Sequence, residues 1–314
     1  MELGINLMNK RLCIAACVYG RKYQGWIPLF IYAIKKNYPE YDIKIFMDRT
    51  LSLGIKALLH KYFLYQRAEF IENINFKYRY GMKSEMEKRC FRWLAAGYGL
   101  DEYEYVYWAD IDIYIVREEI SLLEQHVTDM AETNRCYSNA IRLSVKDYLA
   151  NRKKASTKHL FRLTGLHFVK TEEYYNKISK TQKTLVKYLK GRRISYIDKL
   201  FFYDDERCLW LISYLSGMAL PSASYEVYSD VFRPLHGIHF AIGRAYEEYI
   251  RMFEENSIHF CEHDRYYKMF MEEYNTDKEL RSIIFESSFY IVDTIKRMCT
   301  VWEGNLQQNE IKTE

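Results

Sequence analysis

The sequence predicts an α/β fold, a mostly parallel central sheet flanked by helices, with a helical extension at its C-terminal end. Three observations carry that expectation. Strand-like and helix-like segments alternate through the first sixty residues. A later apolar strand runs into a pair of acids. Beyond residue 243 the apolar spacing is helical and the charge density high.

RLCIAACV (11–18) is a short apolar run that breaks at Tyr19 and Gly20, as a buried strand does. WIPLFIYAIKK (26–36) carries an apolar helical face, with Pro28 tolerated in a first turn. YDIKIFMD (41–48) alternates as a strand and ends in Asp48, and LSLGIKALLHKYF (51–63) reads as a second helix. KSEMEKRCFRWLAAG (83–97) is amphipathic and closes at Gly97, and the strand YEYVYWAD follows it. HLFRLTGLHFV (159–169) reads as a strand pair, and TEEYYNKISKTQKTLVKYLK as a helix. ERCLWLISYLSG (206–217) is a short buried helix ending at Gly217. The expected division is therefore 1–244 as the main domain, 245–304 as helices packed on it, and 305–314 as a frayed polar tail.

Composition sets limits. A chain of 314 residues with 49% hydrophobic residues can bury a large core. A net charge of +4, from 46 basic and 42 acidic residues, is too mild to indicate nucleic acid as a partner. No apolar run is long enough to span a membrane, and the opening MELGINLMNKRLCIAACVYG flows into a strand pattern rather than a signal peptide. Seven scattered cysteines without zinc-site spacing fit reduced thiols in a cytoplasmic chain. The 30 tyrosines suit stacking on sugar rings, but a codon bias explains them as well.

The segment YVYWADIDIYI (105–115) carries the chemistry. Residues two apart in an extended chain project to one side, so Asp110 and Asp112 would bring two carboxylates together. That is costly unless a cation lies between them, and oxygen ligands favour Mg²⁺ or Mn²⁺. A lone Asp-x-Asp is otherwise an ordinary strand end. His236 and His239, three apart beside Gly237, are each candidates for a nitrogen ligand, which would favour Mn²⁺. Asp204, Asp205 and Glu206 precede an apolar helix and serve equally well as cap and first-turn acids. His259 and His263 are four apart but lack the context of a zinc site.

In order along the chain, these pieces resemble the GT-A glycosyltransferases. The nearest branch is the retaining one, typified by bacterial lipopolysaccharide glucosyl- and galactosyltransferases and by glycogenin. The first strand, its tyrosine loop and a Pro-Leu helix are matched by IAACVYGRKYQGWIPLFIYAIKKN. Arg92 in CFRWL stands eighteen residues before Asp110, where that family has an arginine. LTGLHF, YDDERCLWLISYLSG and FRPLHGIHFAIGR follow in the family's order, although an asparagine before Thr164-Gly165 and the usual spacing after the histidine are missing.

The resemblance implies a GT-A (Rossmann-like) fold over roughly residues 11–244 and transfer of a sugar from a UDP-sugar. The metal would be Mn²⁺ or Mg²⁺ on Asp110, Asp112 and one of His236 and His239. It implies donor contacts from Val18, Tyr19, Tyr23, Arg92, Asp110, Ile111, Gly237 and Arg244, with Glu206 or Asp205 as the catalytic carboxylate, a nucleophile or stabiliser if configuration is retained and a general base if it is inverted. The acceptor would be a glycan or a lipid-linked carrier in bacterial surface polysaccharide synthesis, such as lipopolysaccharide or capsule. The site would be cytoplasmic, with peripheral contact to the inner face of a membrane. Retention and inversion both remain open. So do two other classes: a nucleotidyltransferase, which would need a denser Gly-rich loop than VYGRKYQG, and a carbohydrate-binding or partner-binding protein without turnover.

Overall fold

The computed structural model describes residues 10–74, 90–93, 97–153, 156–191, 201–202, 204–227, 232, 235–240 and 258–313. Its strands are β1 (Lys10–Val18), β2 (Asp42–Met47), β3 (Glu69–Ile71), β4 (Tyr103–Ala109), β5 (Ile113–Ile115), β6 (Tyr137–Ser138), β7 (His167–Lys170) and β8 (Gly237–His239). The helices discussed are α1 (Gly20–Gln24), α2 (Ile27–Asn37), α3 (Leu53–Lys61), α4 (Leu122–Thr133), α5 (Val145–Ala150), α6 (Thr171–Gly191), α7 (Asp205–Leu215), α8 (Ile258–Thr276), α9 (Lys278–Glu286) and α10 (Phe289–Thr313).

Six strands form a mixed sheet in the order β3-β2-β1-β4-β7-β6, while β5 and β8 make a separate antiparallel ribbon. β1 pairs in parallel with β4, and β2 with β3. β7 is antiparallel to β4 and to β6. The central strands show why their sequences are apolar almost throughout. Cys13, Ile14, Ala15 and Ala16 of β1 and Val106 and Tyr107 of β4 are fully buried, as strands covered on both faces must be.

The chain forms two compact units. The first comprises Met1–Ala16, Asn75–Ala109 and Ile120–Pro234. It holds β4, β6 and β7, most of β1, and α4 to α7. α4 starts on a full capping box, with Ser121 and Glu124 satisfying each other's backbone N–H. α7 starts on Asp204, whose Oδ1 accepts from the N–H of Glu206 and of Arg207. It ends at Gly217, in the left-handed region at φ 67°.

The second unit comprises Cys17–Ile74, Asp110–Glu119 and Leu235–Glu314. Here the C-terminal helices group with α1 to α3 and the β5–β8 ribbon. α2 is buried along most of its length and meets α9, whose N-cap Asp277 accepts from Tyr32 Oη and Lys36 Nζ of α2. Tyr114 of β5 donates to Glu273 of α8 at 2.6 Å and packs edge-on against Phe270.

Several expectations change in detail. In 159–169 only the last residues are strand; Leu160 and Leu163 make single bridges to Leu143 and Ile141. Thr164 marks the break: its N–H is shared between Ala140 O and the Asn139 carboxamide oxygen, and its hydroxyl donates to that same oxygen. The stretch 305–314, which reads as a frayed tail, continues α10 through Thr313. Extending a helix costs far less than starting one, and LQQNEIKT contains neither Gly nor Pro to stop it. Of the expected helix at 83–97, residues 90–93 and Gly97 lie within the described residues; 90–93 are helical, and Gly97 has φ 92°.

Candidate active site

In the second unit β1 ends at Val18, which is buried, and the chain turns at once into α1 through Tyr19 and Gly20. Gly20 has φ 75°, a left-handed conformation that glycine adopts without a Cβ penalty. Its N–H donates to Asp48 Oδ1 at 2.9 Å. The acid ending the YDIKIFMD strand therefore fixes the turn that carries Tyr19 and Tyr23. Gln24 strengthens the same link, donating to Thr50 O and accepting from the Ser52 N–H. Trp26 then stacks on Phe240, with ring centroids 5.2 Å apart and planes 11° from parallel. That contact joins the start of α2 to the residue after His239.

The acid pair lies just past β4, in a turn rather than an extended segment, with the Ile113 N–H donating to Asp110 O. Asp110 is half-buried, whereas Ile111 and Asp112 are 4% exposed. The β5–β8 ribbon sets Ile113 opposite His239 and Ile115 opposite Gly237. The Phe240 N–H donates to Asp112 O at 2.8 Å, and His239 Nε2 lies 3.1 Å from Asp112 Oδ1. Only glycine fits at 237, because an added Cβ would stand 2.1 Å from Tyr114 O.

The two histidines part company here. His236 is 1% exposed with φ 52°, and its Nδ1 lies 2.6 Å from Glu118 Oε2. Glu118 Oε1 also accepts from Arg265 and Tyr266 of α8. Burial alone would push the Glu118 carboxyl up, but the His236 hydrogen bond and the charges of His236 and Arg265 outweigh it and hold it low. His236 thus ties β8 to α8, while His239, with its side chain 24% exposed, faces the acid pair.

The acids of α7 belong to the first unit, and each has an arginine. Asp204 Oδ2 pairs with Arg162, and Asp205 Oδ2 with Arg92. Glu206 is held in a fork by Arg142, whose Nε and Nη2 donate to Oε2 and Oε1 at 2.5 and 2.7 Å. The Gly165 N–H donates to Oε1 as well, and Arg142 continues to Glu226 and Tyr225. Burial pushes the Glu206 carboxyl up, and Arg142 offsets that only in part. Arg92 also lies over the Trp93 ring, 4.4 Å from its centroid.

The second unit therefore gathers Val18, Tyr19, Tyr23, Asp110, Ile111, Asp112, His236, Gly237 and His239, and the first holds Arg92, Asp205 and Glu206. Arg244 lies outside the described residues, and His259 lies in the first turn of α8. Among the described residues no group of three or more His, Cys, Asp and Glu side chains converges as a ready-made metal cage. Asp112 and His239 provide two donors of the kinds that divalent ions take. Glu118, Arg142 and Arg162 had no signal in the sequence, since each is a single charged residue whose partner is distant along the chain. Asp48 did have one, as an acid closing an apolar strand.

No protein-family model and no curated protein matches this chain. The solved structures it is similar to are GT-A glycosyltransferases, at low identity. An active-site mutant of LgtC is 14% identical with a TM-score of 0.39, over 60% of this chain and 70% of that one. The mannosyltransferase Ktr4p from S. cerevisiae is 12% identical with a TM-score of 0.40, over 64% of each chain. The bifunctional glycosyltransferase WbbM is 11% identical with a TM-score of 0.40, over 68% of this chain and 38% of that one.

Proposed function

We propose that this chain is a metal-dependent glycosyltransferase that moves a hexose from a UDP-sugar to a glycan or lipid-linked acceptor. The observation that carries the reading is the Asp112–His239 pair. A carboxylate and an imidazole from segments far apart in sequence meet just beyond the carboxyl end of β4, where open α/β sheets take their ligands.

Two protein donors suit an ion that fills its remaining positions with water and diphosphate oxygens, and the imidazole favours Mn²⁺ over Mg²⁺. Asp112 and His239 would hold it, with Asp110 as the further carboxylate. Bound there, the ion supplies positive charge to the departing diphosphate. Val18, Tyr19 and Tyr23, on the turn that Asp48 pins, border the base in this reading, together with Ile111 and Gly237. Gly237 lets β8 lie close enough to β5 for His239 to reach Asp112. Arg244 would add charge to the phosphates.

Of the two α7 acids proposed for chemistry, Asp205 is favoured. Glu206 has both oxygens in the Arg142 fork, which neutralises it as a nucleophile, whereas Asp205 meets Arg92 through Oδ2. Asp205 would serve the anomeric carbon if configuration is retained, or the acceptor hydroxyl as general base if it is inverted. Glu206 would then hold Arg142, and Arg92 would orient Asp205. The proposed setting is bacterial surface polysaccharide synthesis at the cytoplasmic face of a membrane. No described helix is long and apolar enough to cross one.

The test is a thermal-shift panel of UDP, GDP and CMP, each with Mn²⁺ and with chelator, on the wild type and on Asp112→Asn. Ligand at about 100 times its Kd stabilises the native state by about 2.7 kcal/mol. The expected result is a Mn²⁺-dependent rise in Tm with UDP that is absent in the variant. No shift with any nucleotide at millimolar concentration overturns the reading.

A further inference from the structure

Between α4 and the edge strand β6 the sequence reads ETNRCYS. Asn134 takes the left-handed conformation, at φ 50°, and caps α4, so the chain reverses within one residue. Arg135 follows, its N–H donating to Met130 O at 3.1 Å and its side chain folding back along the helix toward Asp129. The loop after α7 comes alongside the same strand, where Tyr137 Oη donates to Ala219 O at 2.8 Å. Between helix end and loop lies a cavity of about 640 Å³, whose lining includes Asp129, Glu132, Arg135, Leu220, Pro221 and Phe232. All of these belong to the first unit. The volume suits a small molecule, for which sites run from about 300 to 1,000 Å³.

Arg135 is the residue that packing leaves incomplete. Its side chain is 7% exposed, and a guanidinium carries five N–H donors. Nη1 donates to Asn139 O at 3.4 Å, Nη2 stands 3.6 Å from Asp129 Oδ2, and the Tyr137 ring centroid lies 5.2 Å away. Among the described residues Asp129 Oδ2 is buried without a hydrogen-bond partner. Arg142, by contrast, closes on Glu206 at 2.5 and 2.7 Å. A nearly desolvated cation and a carboxylate thus share one cavity, in an ion pair too long to satisfy either.

We infer that this cavity binds a sugar residue through adjacent hydroxyls, at a site made of different residues from those around Asp112 and His239. The lining decides between ligands. Phosphate only accepts hydrogen bonds and would be repelled by Asp129 and Glu132, and an amine only donates and would be repelled by Arg135. A vicinal diol does both: one hydroxyl oxygen accepts from Arg135 while its neighbour donates to Asp129 or Glu132. The C–H groups of the ring then take the apolar surface of Leu220, Pro221 and Phe232. This site does not depend on the transferase reading.

The experiment is saturation-transfer NMR on the whole chain with the methyl glycosides of glucose, galactose and mannose. Each is titrated to about 50 mM, a range that resolves a millimolar Kd. The expected result is saturation of the ring protons of at least one glycoside, undiminished by equimolar phosphate or putrescine. Arg135→Ala should weaken binding about tenfold, and Arg135→Lys, which keeps the charge but not the planar fork, should weaken it severalfold. Ser222→Trp, on an exposed part of the lining, fills the cavity without touching the core and should also cost about tenfold. It decides the matter should Arg135→Ala fail to fold. Asp112→Asn should bind the glycoside as wild type does.

No saturation with any glycoside overturns the proposal, and so does wild-type affinity in Ser222→Trp. Loss of the signal in Asp112→Asn would assign the sugar to the other site and also overturn it. Competition by phosphate would make the cavity an anion site instead.

Discussion

Arg142 and Glu206, 64 residues apart in sequence, meet through two parallel hydrogen bonds at 2.5 and 2.7 Å, with the Glu206 side chain 12% exposed. A bidentate pair of this kind fixes orientation as well as charge. It anchors the start of α7 against the segment that follows β6, and Gly165 closes it with a backbone N–H.

Arg142→Met should therefore cost about 3 kcal/mol in chemical denaturation, since it leaves a carboxylate in a site built for an ion pair. The loss should be smaller at pH 5 than at pH 8, because an unpaired buried carboxyl takes up a proton. The double variant Arg142→Met/Glu206→Leu should recover most of the stability. A double variant as unstable as the single one would show that Arg142 acts mainly through Tyr225 and Glu226.

Gly237→Ala should separate β8 from β5, because the added carbon would meet Tyr114 O at 2.1 Å. His239 would lose its position opposite Ile113 without any change in the ligands themselves. The Mn²⁺-dependent thermal shift should fall as far as in Asp112→Asn, while far-UV circular dichroism stays close to wild type. A full metal response in Gly237→Ala would detach His239 from the site.

His167 should make the protein acid-sensitive. It is fully buried, its Nδ1 accepts from the Asn139 carboxamide at 2.9 Å, and Trp93 and Tyr174 rings flank it at 5.6 and 5.1 Å. Burial, with Arg92 and Arg135 nearby, holds its pKa down at about 3. In the unfolded chain the imidazole takes its proton near pH 6.5, so stability is full above that value. It falls as pH drops toward 3, by about 1.4 kcal/mol per unit. His167→Gln should flatten that slope in urea titrations between pH 6.5 and 4.5. An unchanged slope would place the acid response elsewhere.

Asp277 should matter in the second unit. Burial would raise its carboxyl, but hydrogen bonds from Lys36, Tyr32 and the Leu280 N–H outweigh that and hold its pKa at about 2. Asp277→Ala removes both the α9 cap and the tie to α2, and should cost about 2 kcal/mol at pH 7. Asp277→Asn keeps a capping oxygen and should lose roughly half as much. As the folded pKa is depressed, the difference between wild type and Asp277→Asn should be constant above pH 5 and shrink as pH falls toward 2. A difference unaffected by pH would mean that the cap alone contributes.

What the sequence determined by itself was local. The apolar runs of β1 and β4, the face of α2, the Asp204 cap of α7 and the acids closing β2 and β4 follow from burial period and end chemistry, which neighbouring residues encode. What only the tertiary structure decided was partnership. His239 rather than His236 reaches Asp112, 127 residues away, because β5 pairs with β8, and the same ribbon sends His236 to Glu118. Arg92 could have paired along its own helix, yet it meets Asp205, 113 residues away. The α7 acids read alike in sequence and differ only in which arginine each one finds. Hydrophobic periodicity tells a side chain whether to be inside, but the counter-charge it meets there depends on strand order and register. Those are settled by the whole core at once.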